Sequence, residues 1–425
     1  MKKYLFVFLI QIPLLGSAQE EKKLGVELNG SVRTDIFFDS RQTEDLREGH
    51  FLLYPKSKLL DNNDKDINAS PKFNLMSIDT RLTALIKGPD AFGAKTSGLI
   101  EGEFYGNINS DINGFRLRHA MVKLTWETSE LMVGQFWHPM FITSSFPGTV
   151  SFNTGAPFQP FARNPQIRLT KKLGNINLIG TLLEQIDFTS TGPSGASPKY
   201  LINSALPELN FRIEYKSDDF LFGGGCNYKS IMPRLYVETV NSTTNSKVKT
   251  NERVSGVSVF TYAQLTLEPV TISTYGYRGQ MMYSMTNLGG YAEKEFVYEN
   301  AKLTNITYTP INTMSLWTDV HTNGKTLQFG FFVGYTKNHG ASDSISTAGK
   351  VYARGDDIDY IYRISPRVIY NSGKFRVAPE IEYTVAAFAT TNEQTGLLNV
   401  NNKRAVTRSK ETGNFRFLIG VYYFF

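Results

Sequence analysis

Two arginines that stand two residues apart, Arg116 and Arg118, are the part of the sequence best suited to hold a ligand. Residues i and i+2 of a β-strand point to the same face, so a strand here places two guanidinium groups side by side. Each guanidinium can grip a planar carboxylate with two parallel hydrogen bonds. The pair predicts contact with small anionic solutes, and Arg81, Arg163 and Arg168 are further candidates for the same role.

Four more arginines fit this role with less support from their neighbours: Arg33, Arg212, Arg363 and Arg367. The segment 131–183 favours an anion-binding surface, because it contains no Asp or Glu but several basic residues. A second interpretation stays open, in which each arginine pairs with an acid on the same wall and only neutralises it. The acids that could do so are Asp79, Glu101 and Glu103.

No catalytic or metal-binding constellation is present in the sequence. The histidines His119, His138 and His321 are far apart, without the H-x-x-x-H spacing or cysteine partner that a metal site needs. There is no G-x-S-x-G motif for a nucleophilic serine. The glycine run 223–225 lies in a strand pattern and predicts a bulge or close contact instead of a phosphate loop. We therefore expect no enzyme activity, no metal and no cofactor.

The elements that carry these arginines are strands. The chain ends in 415–425, FRFLIGVYYFF, where every second residue from Phe415 to Phe425 is apolar. An apolar outer face and a terminal Phe are typical of the last strand of an outer-membrane barrel. Similar alternation of apolar and polar residues returns along the chain in 24–38, 74–86, 208–216, 327–335 and 375–385. The pattern predicts an all-β transmembrane barrel of antiparallel strands.

The start of the chain predicts export. Residues 1–18 combine Lys2 and Lys3 with an apolar stretch and small residues up to Ala18, as a secretory signal peptide does. The stretch is shorter than the roughly 20 residues of a spanning helix. We expect 19–425 to form one barrel in a bacterial outer membrane, in contact with its lipid. The net charge of +6 is spread singly along the strands, so nucleic acid is not an expected partner.

The connections predict about sixteen strands, with long polar loops, of which 40–71 is the first, on the outside and short turns at the periplasmic end. This count requires 301–321 to be one strand through Pro310; a break there gives seventeen, and a boundary error could give eighteen. The loop 139–164 follows the fifth strand, so we expect it to fold into the lumen and narrow it. In the strand of Arg116, strict alternation would also turn Val122 inward, which requires a bulge near His119 or a wall covered by protein.

Three short runs in the order RLRHA, VGQFW and NPQIR, within 73–172, resemble the DcaP-like porins of bacterial outer membranes. The resemblance is clearest over the first half of the chain. It implies a trimer of sixteen-stranded channels through which small anionic solutes, such as dicarboxylates, diffuse passively. Within that framework the arginines would line a constriction and concentrate anions.

Two functions from different classes remain open at this point. The first is a homotrimeric diffusion channel with a preference for small anionic solutes. The second is a barrel closed by its loops that acts as an adhesin, a partner-binding scaffold or an uptake protein for lipids or hydrocarbons. A hydrocarbon carrier should have an apolar lumen, whereas the inward faces here carry charges. The long loops could still close the mouth of the barrel.

Overall fold

The computed structural model describes residues 24–241 and 244–425. The predicted signal peptide, 1–18, lies outside the described residues. Sixteen antiparallel strands form one closed barrel. They are β1 (Gly25–Asp39), β2 (in two parts, Lys72–Met76 and Arg81–Lys87), β3 (Lys95–Glu103), β4 (Arg116–Thr125), β5 (Ser129–Trp137), β6 (Arg163–Leu173), β7 (Ile176–Leu183), β8 (Glu208–Lys216), β9 (Phe220–Ile231), β10 (Val254–Thr266), β11 (Val270–Gln280), β12 (Lys302–Thr322), β13 (Leu327–Ala341), β14 (Ile358–Ser372), β15 (Phe375–Ala389) and β16 (Ser409–Phe424).

The barrel closes where its last strand meets its first. β16 pairs with β1 over nine positions, from Ser31 opposite Phe424 to Asp39 opposite Arg416. The terminal Phe425 adds backbone hydrogen bonds to Gly30 in both directions, at 3.2 and 3.3 Å. Since every barrel strand in 24–241 and 244–425 then has two neighbours, the described barrel presents no unpaired strand edge to the lipid. The all-β barrel predicted from the sequence is confirmed.

The outer wall of the barrel is apolar, as the alternation predicted. Phe415, Phe417 and Ile419 of β16 are 46%, 50% and 42% exposed, whereas the intervening Arg416 and Leu418 are buried. This arrangement of an apolar outside and a polar inside suits a wall that faces lipid, and it places the chain in a bacterial outer membrane. None of the helices in the described part of the chain is long and apolar enough to cross a membrane.

The strand count depended on Pro310, and the structure settles it at sixteen. β12 is a single strand of 21 residues that runs through Pro310. Its pairing with β13 ends at Ile311, and Pro310 instead pairs with Tyr291 of an additional strand, Gly289–Glu299. The proline therefore lies where β12 extends beyond its pairing with β13, in a region that does not belong to the regular barrel ladder.

A bulge in β4 resolves the conflict over its inward face. Glu101 of β3 pairs with His119, but the next residue pairs with Leu117, so Arg118 is an extra residue in the ladder. Arg118 and His119 are both buried, whereas Leu117 and Val122 are 52% and 62% exposed on the outer wall. The bulge therefore lets two arginines face inward without turning the rest of β4 around.

Two kinds of connection alternate, as expected. The short turns at one end are 88–94, 126–128, 174–175, 217–219, 267–269, 323–326 and 373–374. The long loops at the other end are 40–71, 104–115, 138–162, 184–207, 232–253, 281–301, 342–357 and 390–408. Some long loops contain small elements of their own, which are the strand pairs Thr43–Leu46 with Phe51–Pro55 and Tyr236–Asn241 with Thr244–Lys249, the strand Val351–Arg354, the helix Lys199–Ile202 and the 3-10 turns Ile67–Ala69, Asn109–Asp111 and Met282–Met285.

The expectation that 40–71 lies wholly outside the barrel as a polar loop is wrong. Its hairpin packs inside, with Phe51 and Leu52 fully buried. The physical reason is the apolar run FLLY at 51–54, which gains about 25 cal/mol for each Å² that it removes from water. That run is visible in the sequence, but the polar residues on both sides of it indicated a solvent-exposed loop.

Candidate functional site

The third long loop, 138–162, lies among inward-facing side chains of the barrel. Anchored between β5 and β6, it reaches strands far from both. Asn153 donates to Glu382 of β15 at 3.0 Å, and Trp317 of β12 donates to Gln159 at 2.7 Å. The backbone N–H of Val150 donates to the Glu380 carboxylate. The loop is therefore held from several sides by the inner wall.

One side of the interior is filled by aromatic packing. Tyr275 of β11, Trp317 of β12 and Phe332 of β13 are fully buried with neighbouring ring centroids 6.0 to 6.2 Å apart. Phe158 of the third loop packs against Phe332 at 6.0 Å. These contacts resemble the close packing of a hydrophobic core.

The opposite side holds a cavity of about 550 Å³. Its walls come from β1 to β5, β15, β16 and the third loop. The charged residues that line it are Arg33, Arg81, Arg118, Arg376, Asp79 and Glu101. Four cations against two anions leave the lining with a formal excess of two positive charges. An excess of positive charge on the wall makes the electrostatic potential inside such a space more positive.

Aromatic side chains form much of the remaining lining. Trp137 and Phe141 stack at 4.0 Å between ring centroids with an angle of 10° between the planes, and Phe146 continues the row at 5.6 Å from Phe141. Phe152 and Phe161 line the same cavity. A wall of low dielectric constant beside charged groups strengthens their field inside the cavity.

Four of the five predicted arginines have carboxylate partners. Arg81 lies 2.9 Å from Asp79, and Arg118 lies 2.7 Å from Glu101. Asp79 and Glu101 are two of the wall acids that the second interpretation of the sequence named as partners, so that pairing is observed for Arg81 and Arg118. Both arginines also line the cavity.

Arg116 and Arg163 lie deeper, away from the cavity lining. Arg116 is 2.7 Å from Glu103 and 3.3 Å from Asp187, and Arg163 is 2.9 Å from Asp187. Both guanidinium groups are almost fully buried. Glu103 is another of the wall acids that the second interpretation named, and it pairs with Arg116. The sequence could not show that Asp187, in the fourth long loop, folds back onto both arginines.

Glu103 is the centre of this ion-pair network. Fully buried, it accepts hydrogen bonds from Arg116 and Arg118 and has Arg81 and Arg163 at 3.6 and 3.9 Å. Four arginines and the carboxylates Asp79, Glu101, Glu103 and Asp187 thus form one nearly neutral cluster. Its contacts hold each guanidinium in place, as preorganised binding groups require.

Three inward arginines of the described barrel strands have no carboxylate within ion-pair distance: Arg168, Arg212 and Arg376. Arg168 donates to the Trp137 carbonyl at 2.8 Å, and Arg212 donates to the Pro139 carbonyl at 3.0 Å. These two therefore anchor the base of the third loop, a role the sequence did not suggest for them.

Arg376 was missed by the sequence analysis. It donates to Asn371 at 2.8 Å and stands 5.8 Å from the centre of the Tyr422 ring at the cavity wall. The alternation of β15 contained the signal, since Arg376 shares its face with Glu380 and Glu382. It did not stand out because it is a single arginine beside the short turn 373–374, without a second arginine two residues away.

The remaining arginines with less support in the sequence also fall into two groups, those that line the cavity and those that are buried in ion pairs. Arg33 lines the cavity, pairs with Asp79 at 2.6 Å and donates to the Val150 carbonyl at 2.6 Å. Arg363 and Arg367 are buried in pairs with Glu382 at 3.2 Å and Asp319 at 2.7 Å. Arginine contacts to loop carbonyls are thus a common way in which this barrel fixes its interior.

Within residues 24–241 and 244–425, no group of three or more His, Cys, Asp or Glu side chains is arranged to hold a metal ion.

Comparison with known proteins supports the fold. No protein-family model and no curated protein sequence matches the chain. Among solved structures, it is similar to the outer-membrane channel DcaP of Acinetobacter baumannii, with a TM-score of 0.66, 16% identity and coverage of 97% of this chain and 100% of that one. The resemblance to DcaP-like porins predicted from the sequence is confirmed at the level of the fold.

Two further structures share the architecture. The anion-selective porin from Comamonas acidovorans has a TM-score of 0.55 at 11% identity, over 95% of this chain and 100% of that one. The outer-membrane protein OmpT of Vibrio cholerae, in a trimer form, has a TM-score of 0.53 at 13% identity, over 95% of this chain and 99% of that one.

Proposed function

We propose that the protein is an outer-membrane porin through which small, preferentially anionic solutes diffuse passively. The observation that supports this most is the cavity beside β1 to β5, in which Arg33, Arg81, Arg118 and Arg376 face Asp79 and Glu101. Cations held in a narrow space with low-dielectric walls raise the local concentration of anions and repel cations. The function needs no covalent step, no cofactor and no catalytic residue.

Small carboxylates, including dicarboxylates, are the solutes that this cavity suits best. Arg81 is the best placed of the cavity arginines to meet them, because its side chain is 31% exposed while Asp79 fixes its position. A guanidinium can offer two parallel N–H groups to a carboxylate, and the neighbouring Arg118 can offer further donors. Because both arginines keep carboxylate partners, a solute would be bound weakly enough to leave again.

We also propose that the third loop narrows the passage and that three barrels assemble as a homotrimer. The contacts of this loop with β12 and β15 support the first part. The second part is supported by the similarity to a structure described as a trimer form and by the apolar outer wall, which could pack against copies of itself as well as against lipid.

Vesicle swelling tests the proposed selectivity. We expect vesicles that contain the protein to admit a four-carbon dicarboxylate faster than a four-carbon diol, and the diol faster than a four-carbon diamine. The three solutes have similar size, so the order reports charge. Vesicles without protein are the control. Equal rates for all three solutes would contradict the preference for anions, and the reverse order would contradict the role of the arginines.

A barrel closed by its loops remains the second candidate function, and one observation favours it. The first and third loops share an apolar cluster in the lumen that includes Phe51, Leu53, Phe152 and Phe161. Such a barrel would serve as an adhesin or a scaffold for a partner. Folded protein that gives no conductance in a bilayer would support this function over the porin.

A further inference from the structure

We infer that the hairpin of the first long loop, residues 43–55, is a size-selecting element of the pore. This inference rests on the proposed function as a channel. It assigns to the hairpin a role that the sequence analysis gave to the third loop alone. The evidence is the position of the hairpin inside the barrel, its fixation by buried side chains and its contact with the wall of the charged cavity.

Side chains of the wall and of the third loop donate hydrogen bonds to three backbone carbonyl groups of the hairpin. The Gly49 carbonyl accepts from Arg416 of β16 at 2.7 Å, the Leu53 carbonyl from Arg363 of β14 at 2.9 Å, and the Leu52 carbonyl from Asn153 of the third loop at 3.1 Å. The donors Arg363 and Arg416 are themselves buried and paired with carboxylates. The hairpin is therefore held by the wall and not merely laid over the mouth of the barrel.

The turn of the hairpin has a defined conformation of its own. Arg47, Glu48 and Gly49 all have positive φ angles, of 54°, 52° and 95°. Side chains other than glycine rarely adopt this region, so other contacts must stabilise it. Arg47 supplies them through the second long loop, since its Nε donates to the Tyr105 carbonyl at 3.1 Å and its backbone N–H donates to Asn109 at 3.0 Å.

The hairpin also supports the cavity wall from behind. The Phe51 ring is 5.0 Å from Phe161 and 5.9 Å from Phe152, and both of those rings line the cavity on the side of the third loop. Phe51 itself is fully buried. The hairpin and the third loop therefore form one packed unit on this side of the cavity.

Arg363 couples the two loops. One of its terminal nitrogens donates to Leu53 of the hairpin, and the other donates to Ala156 of the third loop at 2.8 Å. Asn153 makes a similar bridge, because it donates both to Leu52 and to Glu382. Loss of the hairpin should therefore widen the lumen and also loosen the third loop.

The test replaces 44–54 by a short Gly-Ser-Gly linker and compares the variant with the unchanged protein. We expect single-channel conductance to rise at least twofold and the largest solute admitted in vesicle swelling to become larger. The control shortens the eighth long loop by residues 393–397, whose tip is solvent-exposed, and should leave both values unchanged. The change in gel mobility on heating shows that each barrel is folded.

The inference is overturned if a folded variant has the same conductance and the same size limit as the unchanged protein. That result would leave the proposed channel intact. If the linker variant does not fold, the double substitution Phe51→Ala with Leu53→Ala removes the apolar contacts but retains the backbone anchors, and its conductance should still rise. A protein that is silent when unchanged but conducts without the hairpin would contradict both the inference and the proposed function, because the hairpin would then close the barrel instead of selecting solutes by size. Silence in both proteins would overturn both.

Discussion

Replacing Arg81 and Arg376 together by glutamine should remove most of the preference of the channel for chloride over potassium. The change takes the cavity lining from four cations and two anions to two of each. A unit charge about 4 Å from a permeating ion changes the energy of that ion by about 1 kcal/mol even in a water-like dielectric. This energy corresponds to a change of about fivefold in the occupancy of the cavity by the ion. We therefore expect the permeability ratio, measured from the reversal potential, to fall by about fivefold or more.

Two matched variants give this experiment its specificity. Glu101→Gln removes one of the two anions of the lining and should raise the chloride preference. Arg404→Gln removes an arginine that pairs with Asp356 in the long loops, far from the cavity, and should leave the ratio unchanged. A double variant that keeps the original ratio would show that the cavity does not control ion passage.

The second large effect concerns the stability of the barrel. Glu103→Gln should lower the free energy of unfolding by about 3 kcal/mol, because the loss of a buried partner leaves the charges around it without compensation. Glu103 is the common neighbour of Arg81, Arg116, Arg118 and Arg163. Denaturant-induced unfolding of the protein in lipid vesicles measures the difference.

A surface pair provides the comparison. Asp343 lies 3.2 Å from Lys294 in the long loops, and their side chains are 49% and 41% exposed. Asp343→Asn should cost less than about 1 kcal/mol, since solvent screens exposed ion pairs. Similar losses for Glu103→Gln and Asp343→Asn would mean that the buried cluster does not stabilise the fold.

Most of the barrel could be predicted from the sequence, because strand alternation reports directly on the two faces of a membrane wall. The terminal strand, the sixteen-strand count and the continuous strand through Pro310 all follow from that local pattern. Even the bulge at Arg118 was detectable as a conflict in the alternation, although only the structure showed that a bulge resolves it.

The interior was less predictable, because it depends on contacts between distant parts of the chain. Asp187 pairs with Arg116 across 71 positions of sequence, and Arg363 reaches Leu53 across 310. No local pattern encodes such partners. Alternation shows that an arginine faces inward, but it does not show whether that arginine lines a cavity, neutralises an acid or anchors a loop.

The most direct test of the account is the reversal potential of the unchanged protein in a planar bilayer under a potassium chloride gradient, recorded together with its conductance steps. If the protein is a trimeric channel with an arginine-lined cavity, we expect a preference for chloride and conductance steps in groups of three. Preference for potassium would contradict the proposed selectivity, and the absence of any conductance from folded protein would contradict the proposal that the barrel is a porin.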